Sequence, residues 1–104
     1  MRLRNKTLES IPDICIELTV TGSVQGVYYR KFTKELAVKL DIKGWVKNQA
    51  DGSVLIVACG TQRNLDVFIE KCKEGNIWSK VSDVYVKSIQ VANSFKSFEI
   101  VRKK

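Results

Sequence analysis

With 104 residues, 44% of them hydrophobic and 28% charged, the chain has room for one compact domain with its own core and too little for two. It contains no histidine, which excludes Ser-His-Asp and Cys-His nucleophile pairs and most zinc sites. The formal net charge of +7 points to anionic partners, either phosphorylated metabolites or nucleic acid, without choosing between them.

Residues 1–12 are polar and basic without periodicity and read as an arm that ends at the only proline, Pro12, which leaves 13–104 as the domain. No apolar run is long enough to span a bilayer, and Met1 to Ser10 lack the apolar centre of a secretory signal, so no membrane contact and a cytoplasmic location are expected. Ile14 to Thr21 are rich in β-branched residues and predict a largely buried strand that stops at Gly22. After a loop with glycines at 22 and 26, Tyr29, Phe32, Thr33, Leu36, Ala37 and Leu40 recur at helical spacing, with lysines mostly on the other face.

Ile42 to Lys47 and Ser53 to Cys59 then read as two strands joined by the turn signal Asp51-Gly52. A second helix is predicted from Leu65, Phe68, Ile69 and Cys72, with Thr61 or Asn64 as its N-cap and Gly75 as its stop. Val81 to Ile89 and Ser97 to Val101 close the chain as strands. The order is that of an α+β, ferredoxin-like split βαβ sandwich: an antiparallel sheet of four to five strands with two helices on one face.

The segment Gly22-Ser-Val-Gln-Gly-Val-Tyr-Tyr-Arg30 lies between a strand and a helix, where successive backbone N–H groups and a helix N-terminus converge on one anion. Its glycines permit positive φ angles, and Arg30 follows in the first helical turn, where a guanidinium can grip two oxygens at once. It is neither a Walker motif nor a dinucleotide fingerprint. On its own it also reads as a plain connector followed by a solvated arginine.

Geometry singles out a second residue. A helix of about 11 residues runs roughly 16 Å away from the loop, and a strand of about 5 residues runs roughly 16 Å back, which brings Asn48 beside the loop. Asn48 alone is a plausible turn former ahead of Asp51-Gly52; beside Arg30, it can orient a water.

These residues, together with Gly44-Trp-Val-Lys-Asn48, Asp51-Gly-Ser-Val54, Gly75-Asn-Ile-Trp-Ser-Lys-Val81 and Phe98-Glu-Ile100, closely resemble the acylphosphatases over residues from about 14 to 102. The resemblance implies hydrolysis of the carboxyl-phosphate bond of acyl phosphates on a ferredoxin-like fold, with no cofactor and no metal. It assigns Arg30 to phosphate binding and Asn48 to water orientation. The cradle is assigned to the loop from Gln25 through Gly26, Val27, Tyr28 and Tyr29 to Arg30, with phosphate or sulfate as alternative occupants. Tyr28 and Tyr29 are candidates to touch the acyl part, although helix packing is the plainer reading of Tyr29. The partner is then a small acyl phosphate and the protein a monomer. Ser23 stands where the family often has a basic residue, Asn76 where proline is frequent, and the arm exceeds that of short members.

Two rival readings share the fold. A basic RNA-binding module draws on the charge and on Lys43-Gly44-Trp45, which imitates the start of an RNP1 motif but fails at Val46-Lys47-Asn48, so nucleic acid is disfavoured. A non-catalytic acylphosphatase-like interaction domain is the other. The three cysteines lack Cys-x-x-Cys spacing and read first as buried thiols. The split βαβ plan sets the first strand antiparallel to Ser53–Cys59, which makes Cys15 and Cys59 neighbours; a disulfide there is expected only against the reducing cytosol.

Overall fold

Seven elements form in the order the sequence pattern predicts. In the computed structural model, which describes residues 13–102, they are β1 (Ile14–Ser23), α1 (Tyr29–Lys39), β2 (Lys43–Asn48), β3 (Val54–Gly60), α2 (Gln62–Glu74), β4 (Lys80–Ile89) and β5 (Phe98–Val101). The arm expected over residues 1–12 lies outside the described residues. Among those described, no helix is long and apolar enough to cross a membrane.

The strands form one sheet in the order β4-β1-β3-β2-β5. Alternation along each strand sends Ile16, Leu18, Val20, Val46, Val54, Ile56, Ala58 and Phe98 to the face covered by the helices, where they are buried. The helices complete that layer with Tyr29, Thr33 and Ala37 from α1 and Leu65, Phe68 and Cys72 from α2. Of the two N-caps open to α2, Thr61 takes the role: its hydroxyl accepts from the Asn64 N–H at 3.2 Å.

Two expectations need correction. The first strand does not stop at Gly22. It continues to Ser23 through a register shift against β4 between Thr21 and Gly22, with Gly22 at φ 121°, because a bulge lets the ladder resume after the kink. The sheet is also mixed rather than antiparallel, since β5 pairs parallel with β2, with Gly44 opposite Phe98 and Lys47 opposite Val101. The segment between β4 and β5 carries the chain across to the far side of the sheet, so β5 adds to an outer edge in the direction of β2. Because β1 and β2 both run antiparallel to β3, the three strands β1, β2 and β5 all point one way and end at one edge of the sheet.

Gly44 marks a tight approach between β2 and β3. It adopts φ 144°, and a Cβ there would stand 1.9 Å from the Val57 carbonyl oxygen. On the other face of the sheet, in the ladder that β3 forms with β1, Cys15 and Cys59 are directly opposed, with Cα atoms 4.1 Å apart and their sulfurs joined at 2.12 Å. Cys72 is a free thiol on the buried face of α2. The Tyr29 hydroxyl donates to the Cys72 carbonyl at 2.9 Å and so ties α1 to α2.

Burial pushes the Cys72 thiol up to about 12 from its ordinary 9.0 and holds the Tyr29 hydroxyl far above its usual value. Both groups stay protonated in the folded protein while the unfolded chain gives up its protons. Their stabilisation is therefore full below pH 9 and lost as pH rises further. Urea denaturation should show stability falling from pH 9 upward, with a shallower fall in Cys72→Ala than in the wild type.

Two more outcomes follow from the fold. Gly44→Ala should cost more than about 2 kcal/mol in the same denaturation experiment, since a Cβ has no room there and the φ is hostile to it. Denaturing the unreduced protein in the presence of a thiol reagent should reveal one reactive cysteine, Cys72; three would show Cys15 and Cys59 to be unpaired.

Candidate active site

The common direction of β1, β2 and β5 gathers three separate pieces of chain at one sheet edge. The loop after β1 arrives there, as do Asn48 at the end of β2 and Val101-Arg102 at the end of β5. Together they line a cleft of about 440 Å³ that contains Gly26, Tyr28, Arg30, Lys31, Asn48 and Arg102.

Strand alternation explains the aim of each side chain. Asn48 pairs with Val54, which is buried beneath the helices, so its amide lies on the helix side of the sheet under the loop. Ile100 is two residues from buried Phe98 and shares its face, and the same alternation turns Arg102 toward the cleft. Arg30, in the first turn of α1, stands across from them. Its Nη1 makes a long contact of 3.5 Å to the Val101 carbonyl, which steadies the guanidinium against the end of β5.

The loop is shaped to leave donors available. Gly26 adopts φ 72°, and a Cβ there would meet no atom within 4 Å, so the turn requires glycine for its backbone angle and faces open space. Tyr28 stands at the N-cap of α1 with φ 61° and ψ 20° and offers no side-chain acceptor to the first-turn N–H groups. No acidic residue occupies that turn. An uncapped helix N-terminus of this kind favours an anion.

Charge reinforces the geometry. Arg30, Lys31 and Arg102 line the cleft, and no carboxylate does. On the helix side of the sheet edge, Asn48 Oδ1 is buried and accepts no hydrogen bond from the protein. A buried acceptor without a donor is costly unless a further molecule supplies one.

Not every candidate lines the cleft. Gln25 does not: its side-chain Nε2 donates to two carbonyls, Gln49 O and Ser53 O, both at 2.8 Å. These two residues flank the β2–β3 turn, which is closed by Gln49 N–H to Ser53 O at 2.8 Å and by the Asp51 carboxylate accepting from Ser53 N and Oγ. Gln25 thus fixes the loop to the hairpin that carries Asn48, and its side chain is committed to that work. Val27 also stays outside the lining; its carbonyl accepts from Asn76 Nδ2 at 2.9 Å. The Tyr29 ring is 1% exposed and packs in the core, so only its backbone is offered to the cleft.

Arg102 escapes the sequence reading, because nothing marks it until β5 is known to run parallel to β2. Among the described residues, no three Cys, Asp or Glu side chains come together as a metal site. The opposite, open face of the sheet carries Glu17, Asp83 and Glu99 among its lysines. Its aromatics, Trp45 on β2 and Tyr85 on β4, lie on strands that are not neighbours, and Lys47 Nζ sits 5.5 Å from the Trp45 ring. That face lacks the adjacent aromatic platform on which an RNA-recognition sheet stacks bases.

Comparison with known proteins identifies the family. The Acylphosphatase family model matches residues 16–100. The chain is 44% identical to an acylphosphatase of Archaeoglobus fulgidus over 87 residues, which are 84% of this chain and 97% of the relative. Among solved structures, the acylphosphatase of Coxiella burnetii aligns with a TM-score of 0.81 at 36% identity, covering 86% of this chain and 94% of its own. That of Bacillus subtilis aligns with a TM-score of 0.81 at 39% identity, covering 85% and 98%. The family match spans the loop, Asn48 and all but the last residue of β5, and the chain belongs to the acylphosphatase family of acyl phosphate hydrolases.

Proposed function

We propose that this enzyme splits the carboxyl-phosphate bond by holding the phosphoryl group between Arg30 and the loop amides from Gln25 to Arg30 while Asn48 orients the attacking water. The observation that carries this reading is the buried, unpartnered Oδ1 of Asn48 at the same cleft as Arg30.

An acyl phosphate has a carboxylate leaving group, stable as an anion, so its departure needs little help from a general acid. The barrier lies in placing a water in line with the P–O bond and in stabilising the phosphoryl oxygens. Arg30 offers its paired donors to two of these oxygens. The loop amides and the uncapped N-terminus of α1 supply fixed positive dipoles to the others. Lys31 and Arg102 add positive potential from the rim of the cleft.

In the displacement, the water oxygen bonds to phosphorus as the bond from phosphorus to the acyl oxygen breaks. The electron pair of that bond leaves with the carboxylate, and the water's proton passes to a phosphoryl oxygen. The products are a carboxylate and dihydrogen phosphate. No side chain needs to accept the proton, and none of the lining residues is a histidine, cysteine or carboxylate. Inorganic phosphate, carrying the same oxygens, fits the loop as product and as competitive inhibitor. All of these groups come from one chain, so a monomer is sufficient for the reaction.

Steady-state kinetics on acetyl phosphate test the roles. Arg30→Ala should lower kcat/KM by about 10³-fold and Asn48→Ala lower kcat by about 10²- to 10³-fold, the scale of losing a preorganised donor or positioned nucleophile. Wild-type activity in either variant would remove that residue from the mechanism. Gln25→Ala keeps every group that lines the cleft but frees the loop from the hairpin. It should lower kcat by about 10- to 100-fold through misplacement, with stability reduced by about 1–3 kcal/mol as the two carbonyls lose their donor.

A further inference from the structure

A second cleft, of about 490 Å³, opens beyond Tyr28 and is lined by Tyr28, Lys31, Phe32, Glu35, Asn76 and Trp78. It shares Tyr28 and Lys31 with the cleft that contains Arg30. A third hollow, on the hairpin side, shares Arg30, Asn48 and Arg102 with that same cleft and shares nothing with the aromatic one. The phosphoryl position therefore sits in the middle of a row, with Asn48 toward one end and the aromatic cleft at the other.

In-line displacement places the attacking water and the leaving oxygen on opposite sides of phosphorus. With the water at Asn48, the leaving carboxylate departs toward Tyr28 and Lys31. Whatever is attached to that carboxylate extends into the aromatic cleft.

Two independent features show that this cleft is a built surface. Tyr28 is held at φ 61°, in the left-handed region that a side chain occupies only at a cost. Its ring is 68% exposed and meets Trp78 edge to face, with centroids 5.6 Å apart. Trp78 is itself 61% exposed. The segment that carries it is tied to the phosphate loop by the hydrogen bond from Asn76 to Val27, so the aromatic shelf is fixed relative to the phosphoryl position.

We propose that Tyr28, Phe32 and Trp78 form the subsite for the acyl group, and that Trp78, 50 residues beyond the phosphate loop, sets how tightly an aromatic or extended apolar acyl part is held. Lys31, common to both clefts, stands where negative charge develops on the departing carboxylate. The subsite rests on the roles given above to Arg30 and Asn48, since these orient the substrate.

The test compares kcat/KM for benzoyl phosphate and acetyl phosphate in the wild type and in Trp78→Ala, Trp78→Phe and Arg30→Ala. The two substrates differ in intrinsic reactivity, so the reading is how their ratio changes between variants. Trp78→Ala should lower kcat/KM for benzoyl phosphate by roughly 3- to 10-fold, the scale of one aromatic contact, mostly through KM. It should leave acetyl phosphate within about twofold of wild type, and Trp78→Phe should restore most of the loss. Equal effects on both substrates, or none on either, with Arg30→Ala inactive, would overturn the subsite and leave the phosphoryl assignment standing. Full activity in Arg30→Ala would overturn both.

Discussion

Three strands that end together at one edge of the sheet are the constraint from which the site follows. β1 delivers the loop and Arg30, β2 delivers Asn48, and β5 delivers Val101 and Arg102. Each strand is held in that direction by its ladder, so the relative positions of these groups are fixed by backbone hydrogen bonding and by the buried side chains on the helix face. The Gln25 amide adds a cross-brace between the loop and the β2–β3 turn. A flexible loop would have to be ordered by the substrate at each turnover; here most of that ordering is complete before binding.

This rigidity suits a chemistry without an imidazole. The substrate is an activated anhydride, and the protein's share of the work is placement and fixed charge. Backbone dipoles and guanidinium groups do not change protonation across the neutral range. The lack of histidine, which excludes so much in the composition, is compatible with such a mechanism.

Much of this is legible in the sequence, and the remainder is hidden for physical reasons. The element order is readable because hydrophobic spacing reports helices and strands locally. Arg30 and Asn48 stand out because one follows a glycine-bearing loop and the other lies a helix and a strand further on, a distance that elementary geometry can close. The pairing of β5 is not readable, because Phe98-Glu-Ile-Val carries the same pattern whichever edge it joins, and Arg102 stays anonymous with it. Gln25 reads as a substrate contact because its position in the motif is plain while its partners, Gln49 and Ser53, are brought near only by the fold. Trp78 is similar: its meeting with Tyr28 depends on a loop 50 residues downstream folding back, and its spacing gives no sign of that.

The parallel seat of β5 also has a consequence in time. The contact between Arg30 and Val101 joins residues 71 positions apart, and the strand that completes the cleft follows every other element among the described residues. During synthesis, β5 is made after β1, α1, β2, β3 and α2, and long-range pairings of this sort are the slow ones to form. The hairpin and the loop can therefore be in place while the cleft still lacks one wall. Activity becomes a property of the finished sheet, and a chain that has not seated its last strand has the motif without the site.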